Sequence, residues 1–189
     1  MNYTTGHQQA DKKLVQRVLD GDTYAFAAIV KNTERLVALI IFKMISRAAD
    51  RKDIAQDIFI KVFRDLPNFR FESKLSTWVG QVTYFTCLKY LEKKQLVLVK
   101  DYGEEYETAS QDIEQLLHKK ETREILANAI ENLPPVYKTL ISLFHQEEMS
   151  YEEIVNITGL PDGTVKSYLS RARKQLKANL LANYKREEL

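Results

Sequence analysis

Apolar residues along the chain recur three and four apart and not at alternate positions, and glycine and proline are scarce, so the pattern predicts an essentially all-α protein. A short helix is expected from about Asp11 to Gly21, after which Asp22 caps a long helix carrying Phe26, Ile29, Val30, Leu36, Val37 and Ile40. A third helix from about Arg51 places Ala55, Ile58, Phe59, Val62, Phe63 and Leu66 on one stripe, and Pro67 stops it. Ser76 is the expected N-cap of a fourth helix in which Trp78, Val82, Phe85, Leu88 and Leu91 share a face.

The apolar pattern then fades. Asp101, Glu104, Glu105, Glu107, Asp112 and Glu114 accumulate with no base after Lys100, which reads as a flexible acidic linker. A second helical block starts near Ile113, runs to Glu131, breaks at Pro134 and Pro135, and resumes through Phe144, through Tyr151 to Thr158, and from Asp162 to about Tyr184. The fold class is therefore two small helical domains, residues 10–96 and 119–182, joined by the linker 97–118.

Composition narrows the function. With 189 residues, 44% of them hydrophobic and 29% charged, the chain can bury a real core. A net charge of only +2 means that any affinity for nucleic acid must come from local clustering. Cys87 is the one cysteine, so no internal disulfide forms and a reduced, cytoplasmic setting is expected. His7, His118 and His145 lack metal-ligand spacing, and no cofactor or metal is expected. The start of the chain is polar, and the strongest apolar run, Leu36 to Phe42, is far shorter than the roughly 20 residues of a membrane span, so neither a signal peptide nor membrane insertion is expected.

The sharpest local signal is YEEIVNITGLPDGTVKSYLSRARKQL, residues 151–176. Gly159 supplies a tight turn between two short helices, Pro161 keeps the first from running on, Asp162 is placed to cap the second, and Ile154, Leu160 and Val165 fall where the two must press together. Val165, Leu169, Ala172 and Leu176 keep the spacing of a buried face, which turns Thr164, Ser167, Tyr168, Arg171, Lys174 and Gln175 outward. From Asp162 to Arg186 seven bases face one acid. Such a face attracts phosphate, and arginine also reads guanine edges. A plain amphipathic helix pair with a solvated basic face has the same periodicity.

Residues 132–176, NLPPVYKTLISLFHQEEMSYEEIVNITGLPDGTVKSYLSRARKQL, resemble the fourth conserved region of extracytoplasmic-function sigma factors of the sigma-70 family, with GTVKS and SRAR as its most specific pieces. Independently, DIAQDIFIKVFRDLPNFRFESKLSTWV resembles the family's second region. The resemblance covers about Asp11 to Lys177 and implies a non-enzymatic subunit that binds core RNA polymerase and promoter DNA, with an anti-sigma factor as a further partner. It also implies a division of labour. Thr164, Lys166, Ser167, Tyr168, Ser170, Arg171, Arg173 and Lys174 would read the minus-thirty-five element as duplex. Asn68, Phe69, Arg70, Phe71, Glu72, Ser73, Lys74, Trp78 and Phe85 would capture the opened minus-ten element. Asp53, Gln56, Asp57 and Phe59 would dock on the polymerase clamp, whereas Lys61 and Arg64 read equally well as a solvated face.

Phe69 and Trp78 also fit a core, which for Trp78 is the favoured reading, and Phe71 in the loop is the better stacking candidate. The acidic linker would run into the polymerase cleft or serve as a soluble tether. Phe85 stands where many members have Asn, Gln81 where Arg is usual, Phe71 where Gly is common and Tyr168 where Arg is frequent, and these departures bear on promoter preference.

Three rival readings are weaker. A stand-alone helix-turn-helix regulator accounts for the C-terminal segment but not for DIAQDIF followed by FRFESKLSTW. No phosphate loop, nucleophile-base pairing or metal-spaced carboxylate cluster supports an enzyme. An anti-sigma or scaffolding protein has no need of the basic face.

Overall fold

The computed structural model describes residues 5–100 and 118–187, with side chains over 8–94 and 125–181. The expected linker acids Asp101 to Glu114 lie outside the described residues. Among those described, the chain forms eight α-helices and one 3₁₀ turn: α1 (Thr5–Leu19), α2 (Thr23–Met44), α3 (Ala48–Asp65), the turn Leu66–Asn68, α4 (Leu75–Lys100), α5 (His118–Glu131), α6 (Pro135–His145), α7 (Tyr151–Thr158) and α8 (Asp162–Glu187).

Several boundaries follow from capping chemistry. Asp22 caps α2 as expected, its carboxylate accepting from the N–H groups of Tyr24 and Ala25. The Arg17 side chain bound to Asp22, together with those amides, holds the carboxyl below its ordinary range. Ser76 does not cap α4. The helix begins one residue earlier, at Leu75, whose N–H donates to the Asp11 carboxylate at 2.8 Å, so α1 supplies the cap from 64 residues away. Asp162 likewise stands as the first residue of α8 and not before it. The Pro161 carbonyl accepts from Thr164 and Val165, and the Asp162 carboxylate serves the positive end of the helix and Lys166.

The stripes on α2 and α3 bury much as their spacing requires: Ile29, Leu36, Val37 and Ile40 on α2, and Ile54, Ile58 and Val62 on α3 followed by Leu66. Phe63 departs from its stripe, being 55% exposed with its ring edge-on to Phe26. On α4 the deepest residues are Leu75, Thr77, Val79, Gly80, Thr83, Tyr84 and Cys87, whereas Trp78, Val82, Leu88 and Leu91 are half-buried and Phe85 is exposed. The reason is that α4 is covered from two directions, by α2 and α3 on one side and by α7 on the other, which a single-face expectation does not capture.

In the second domain α6 to α8 enclose Leu140, Leu143, Ile154, Ile157, Val165, Leu169 and Ala172. Ser150 caps α7 by a capping box with Glu153, and Gly159 closes the helix at φ +68°, the left-handed turn that a side chain resists. Ile154 and Val165 are fully buried across that turn and Leu160 half-buried, the packing of a helix-turn-helix. The two domains share one continuous core, with α6 lying along α2 and α7 along α4.

Candidate nucleic-acid interface

The loop between α3 and α4 is a shaped surface. Asn68, Phe69, Arg70, Glu72, Ser73, Trp78 and Gln81 line a cavity of about 220 Å³, and Asn156 of α7 completes its wall. Phe69 is only 7% exposed and its ring lies 5.2 Å from Trp78 and 4.6 Å from Phe71, so it is the floor that positions its neighbours and not a free stacking ring. Trp78 is half-buried, both packed and part of the cavity wall.

Phe71 is half-buried and holds a left-handed backbone at φ 58°, an uncommon state for a bulky residue. Three contacts hold it there: the Phe69 ring, Lys12 positioned 5.7 Å over the Phe71 ring, and Gln8, whose amide donates to the Phe71 carbonyl at 3.2 Å. Arg70, Glu72 and Lys74 are exposed, Ser73 is half-buried, and Lys74 donates to Glu153 at 2.8 Å. Partial burial of Glu153 opposes its charge, but Lys74 and the Ser150 donors outweigh that and hold the carboxyl below its usual range.

On α8 the anticipated outward face divides. Ser170, Arg171, Lys174 and Gln175 are exposed. Arg173 stands over the Phe144 ring at 5.2 Å, and Lys166 pairs with Asp162 at 2.6 Å above the Tyr151 ring, an arrangement that raises the Lys166 pKa through its hydrogen bond to Asp162. Ser167 donates to the Thr164 carbonyl at 2.9 Å. Tyr168 is not outward as its spacing suggests: it is half-buried, packs edge-on to Tyr137 at 5.4 Å, and lies close enough to Tyr84 of the first domain to raise the Tyr84 pKa, whose main cause is burial.

A third surface lies on α3, where Asp53, Gln56 and Asp57 are exposed and Phe59 is half-buried. Ile60, 63% exposed, stands one turn from Gln56 and Asp57, with exposed Phe63 a further turn along. Ile60 falls outside the apolar stripe of α3, on the polar side of the helix. An isoleucine on an otherwise charged face was the available signal.

Two conserved-region families match this chain: Sigma-70 region 2 over residues 29–97, and Sigma-70, region 4 over residues 123–176. An ECF RNA polymerase sigma-E factor from Haemophilus influenzae is 34% identical over 180 residues, covering 89% of this chain and 94% of the relative. The factor of the same name from Escherichia coli K12 is 32% identical over 179 residues, covering 89% and 93%. Among solved structures, the sigma factor RpoE with the anti-sigma factor NepR from Bartonella quintana has a TM-score of 0.68 at 21% identity, covering 82% of this chain and 96% of that one. CnrH in complex with the cytosolic domain of CnrY has a TM-score of 0.65 at 20% identity, covering 92% and 98%. These two likenesses speak to the fold. With both regions matched in chain order and a relative 34% identical over most of its length, the chain belongs to the extracytoplasmic-function group of RNA polymerase sigma-70 factors.

Proposed function

We propose that the chain is a promoter-specificity subunit with no catalysis of its own, which joins core RNA polymerase in the cytoplasm, recognises promoter DNA and opens it. The exposed side of α3, Asp53, Gln56 and Asp57 with the edge of Phe59, is the polymerase-docking surface. Ile60 and Phe63 add the apolar area that a stable protein interface requires at its centre. The exposed face of α8, led by Arg171 and Lys174, meets the minus-thirty-five duplex, where bases neutralise phosphate and an arginine distinguishes guanine.

The observation that carries this reading is the cavity at the start of α4. Removing a base from the stack costs a few kcal/mol, which polar groups and a stacked ring must offset. Asn68, Arg70, Glu72, Ser73 and Gln81 supply donors and acceptors for base edges beside the Phe69, Phe71 and Trp78 rings, a composition suited to an unpaired base. The chain itself has no helix, among the described residues, long and apolar enough to cross a membrane. The RpoE relative is held by an anti-sigma factor, and a partner of that kind is proposed here too.

The test is run-off transcription with core polymerase alongside gel-shift of the isolated chain. The expected result is weak duplex binding alone and promoter-specific initiation with core enzyme. Tight operator binding by the chain alone, with no initiation when core is added, would overturn the assignment.

A further inference from the structure

Gln8, Asp11, Val15 and Val18 of α1 follow one another at spacings of three and four, and Lys12 lies one turn after Gln8, so they form a single stripe. Val15 and Val18 are buried in the core, whereas the earlier positions are polar. The stripe changes character where its partner changes from a helix to the loop between α3 and α4. The Gln8 amide donates to the Phe71 carbonyl at 3.2 Å, the Asp11 carboxylate accepts from the Leu75 N–H at 2.8 Å, and the Lys12 ammonium lies 5.7 Å from the centre of the Phe71 ring. Gln8 and Asp11 are both half-buried.

These contacts grip the six irregular residues 69–74 that join the 3₁₀ turn to α4. The same stretch lines two cavities of about 220 Å³ each. Phe69, Arg70, Glu72 and Ser73 line one, and Lys74, with Leu75 and Ser76 after it, lines a second beside Asp11 and Thr33. With open volume along the segment, packing alone does not fix its course. Phe71 at φ 58° holds a backbone state that a bulky residue leaves unless its surroundings impose it. Gln8 imposes it at the carbonyl, and Asp11 fixes the first N–H of α4, one turn before Trp78.

We propose that α1 sets base selectivity at the minus-ten element without touching the base, with Gln8 and Asp11 as positioning residues that hold the 69–74 loop in one shape. This deepens the assignment of the loop cavity to an unpaired base and rests on it. A site discriminates when its donors and acceptors are fixed, because a wrong base then leaves some of them unpaired. Held between Gln8 and Asp11, the side chains of Arg70, Glu72 and Ser73 present one arrangement to the captured base. A loop released from α1 re-pairs with several bases, so capture continues while selectivity falls. Selectivity at the minus-thirty-five element belongs to α8 and does not pass through α1.

The experiment forms holoenzyme from core polymerase and the full chain, selects open complexes from a duplex promoter library randomised at both elements, and sequences them. The readout is the ratio of the most to the least favoured base at each position. Gln8→Met, which keeps the length without a donor, and Asp11→Ala should each narrow the minus-ten ratios about fivefold and leave the minus-thirty-five ratios unchanged. Asp11→Asn, whose amide oxygen still accepts from the Leu75 N–H, should restore most of the selectivity. Trp78 is the chain's one tryptophan and lines the cavity, so it gives an independent signature. Its emission should move to longer wavelength in Asp11→Ala and return in Asp11→Asn. Unchanged minus-ten ratios in both disrupting variants, an equal loss at both elements, or no recovery with Asp11→Asn would overturn the proposal. The unaltered chain is run in parallel: if its holoenzyme opens promoters with no preference among minus-ten bases, the cavity assignment falls and this proposal with it, whereas normal preference that survives loss of Gln8 and Asp11 removes only the role of α1.

Discussion

Lys74 and Glu153, 79 residues apart in sequence, meet at 2.8 Å, and the same glutamate closes the capping box of α7. One carboxylate oxygen serves Lys74 while the other accepts from the backbone N–H and hydroxyl of Ser150. The loop between α3 and α4 and the first helix of the helix-turn-helix are thus tied to a single side chain.

The cap can be removed without touching the interdomain pair. Ser150→Ala leaves Glu153 free to hold Lys74 but deprives the Glu153 N–H of its acceptor. A loss of about 1 kcal/mol is expected for such a cap. Urea unfolding followed by helical signal is the measurement, and an unchanged midpoint would mean that the turn holds α7 unaided.

Acid should open the molecule. Burial works against the charge on Glu131, but Lys43 and Lys138 outweigh it and lower its pKa, and Glu153 is lowered in the same way by Lys74 and Ser150. A group whose folded pKa lies below its unfolded value contributes stability above the unfolded value and loses it as pH falls through the folded one. Both contacts should therefore be intact at neutral pH and fail below about 4.5, the ordinary glutamate value. Interdomain distance followed from pH 7 downward, with Glu131→Gln as the variant whose transition flattens, is the check.

The helices and the paired regions were legible in the sequence because spacing at three and four is the direct imprint of a buried stripe, as Ile58 and Val62 illustrate. The cap on α4 was not, since Asp11 reaches Leu75 only after the chain has folded back across 64 residues. The surroundings of Tyr168 and Gly80 are hidden in the sequence for a related reason. Helical spacing says which residues share a face, but not that a second domain will cover that face, and both residues lie where the two domains approach.

Cys87 is fully buried, and burial pushes its thiol up to about 12. The thiolate is the reactive form, so disulfide-exchange reagents should leave the native chain nearly untouched at neutral pH and titrate one thiol only in denaturant. Fast stoichiometric labelling of the native protein would contradict the close packing of α4.

Arg171 stands exposed on α8, away from the ring contact that holds Arg173 and the ion pair that holds Lys166. Its guanidinium is thus exposed, as are the side chains of Ser170, Lys174 and Gln175. Arg171→Ala should cost roughly 1–3 kcal/mol in discrimination between matched and mutated minus-thirty-five elements. Competition binding of the polymerase complex reads this directly; equal loss on both sequences would assign Arg171 to phosphate instead.

Phe71 separates two contributions that a single substitution would confuse. Its left-handed backbone costs about 1–2 kcal/mol for any residue with a Cβ, while its ring packs on Phe69 beneath Lys12. Phe71→Ala keeps the backbone strain and loses the ring, whereas Phe71→Gly loses both, so the glycine variant should be the more stable of the two by about 1 kcal/mol. Strand opening should follow the ring and not the stability: both variants should lower permanganate reactivity of promoter thymines while sparing duplex binding. If glycine restores opening where alanine does not, the loop's conformation governs capture and the ring is structural.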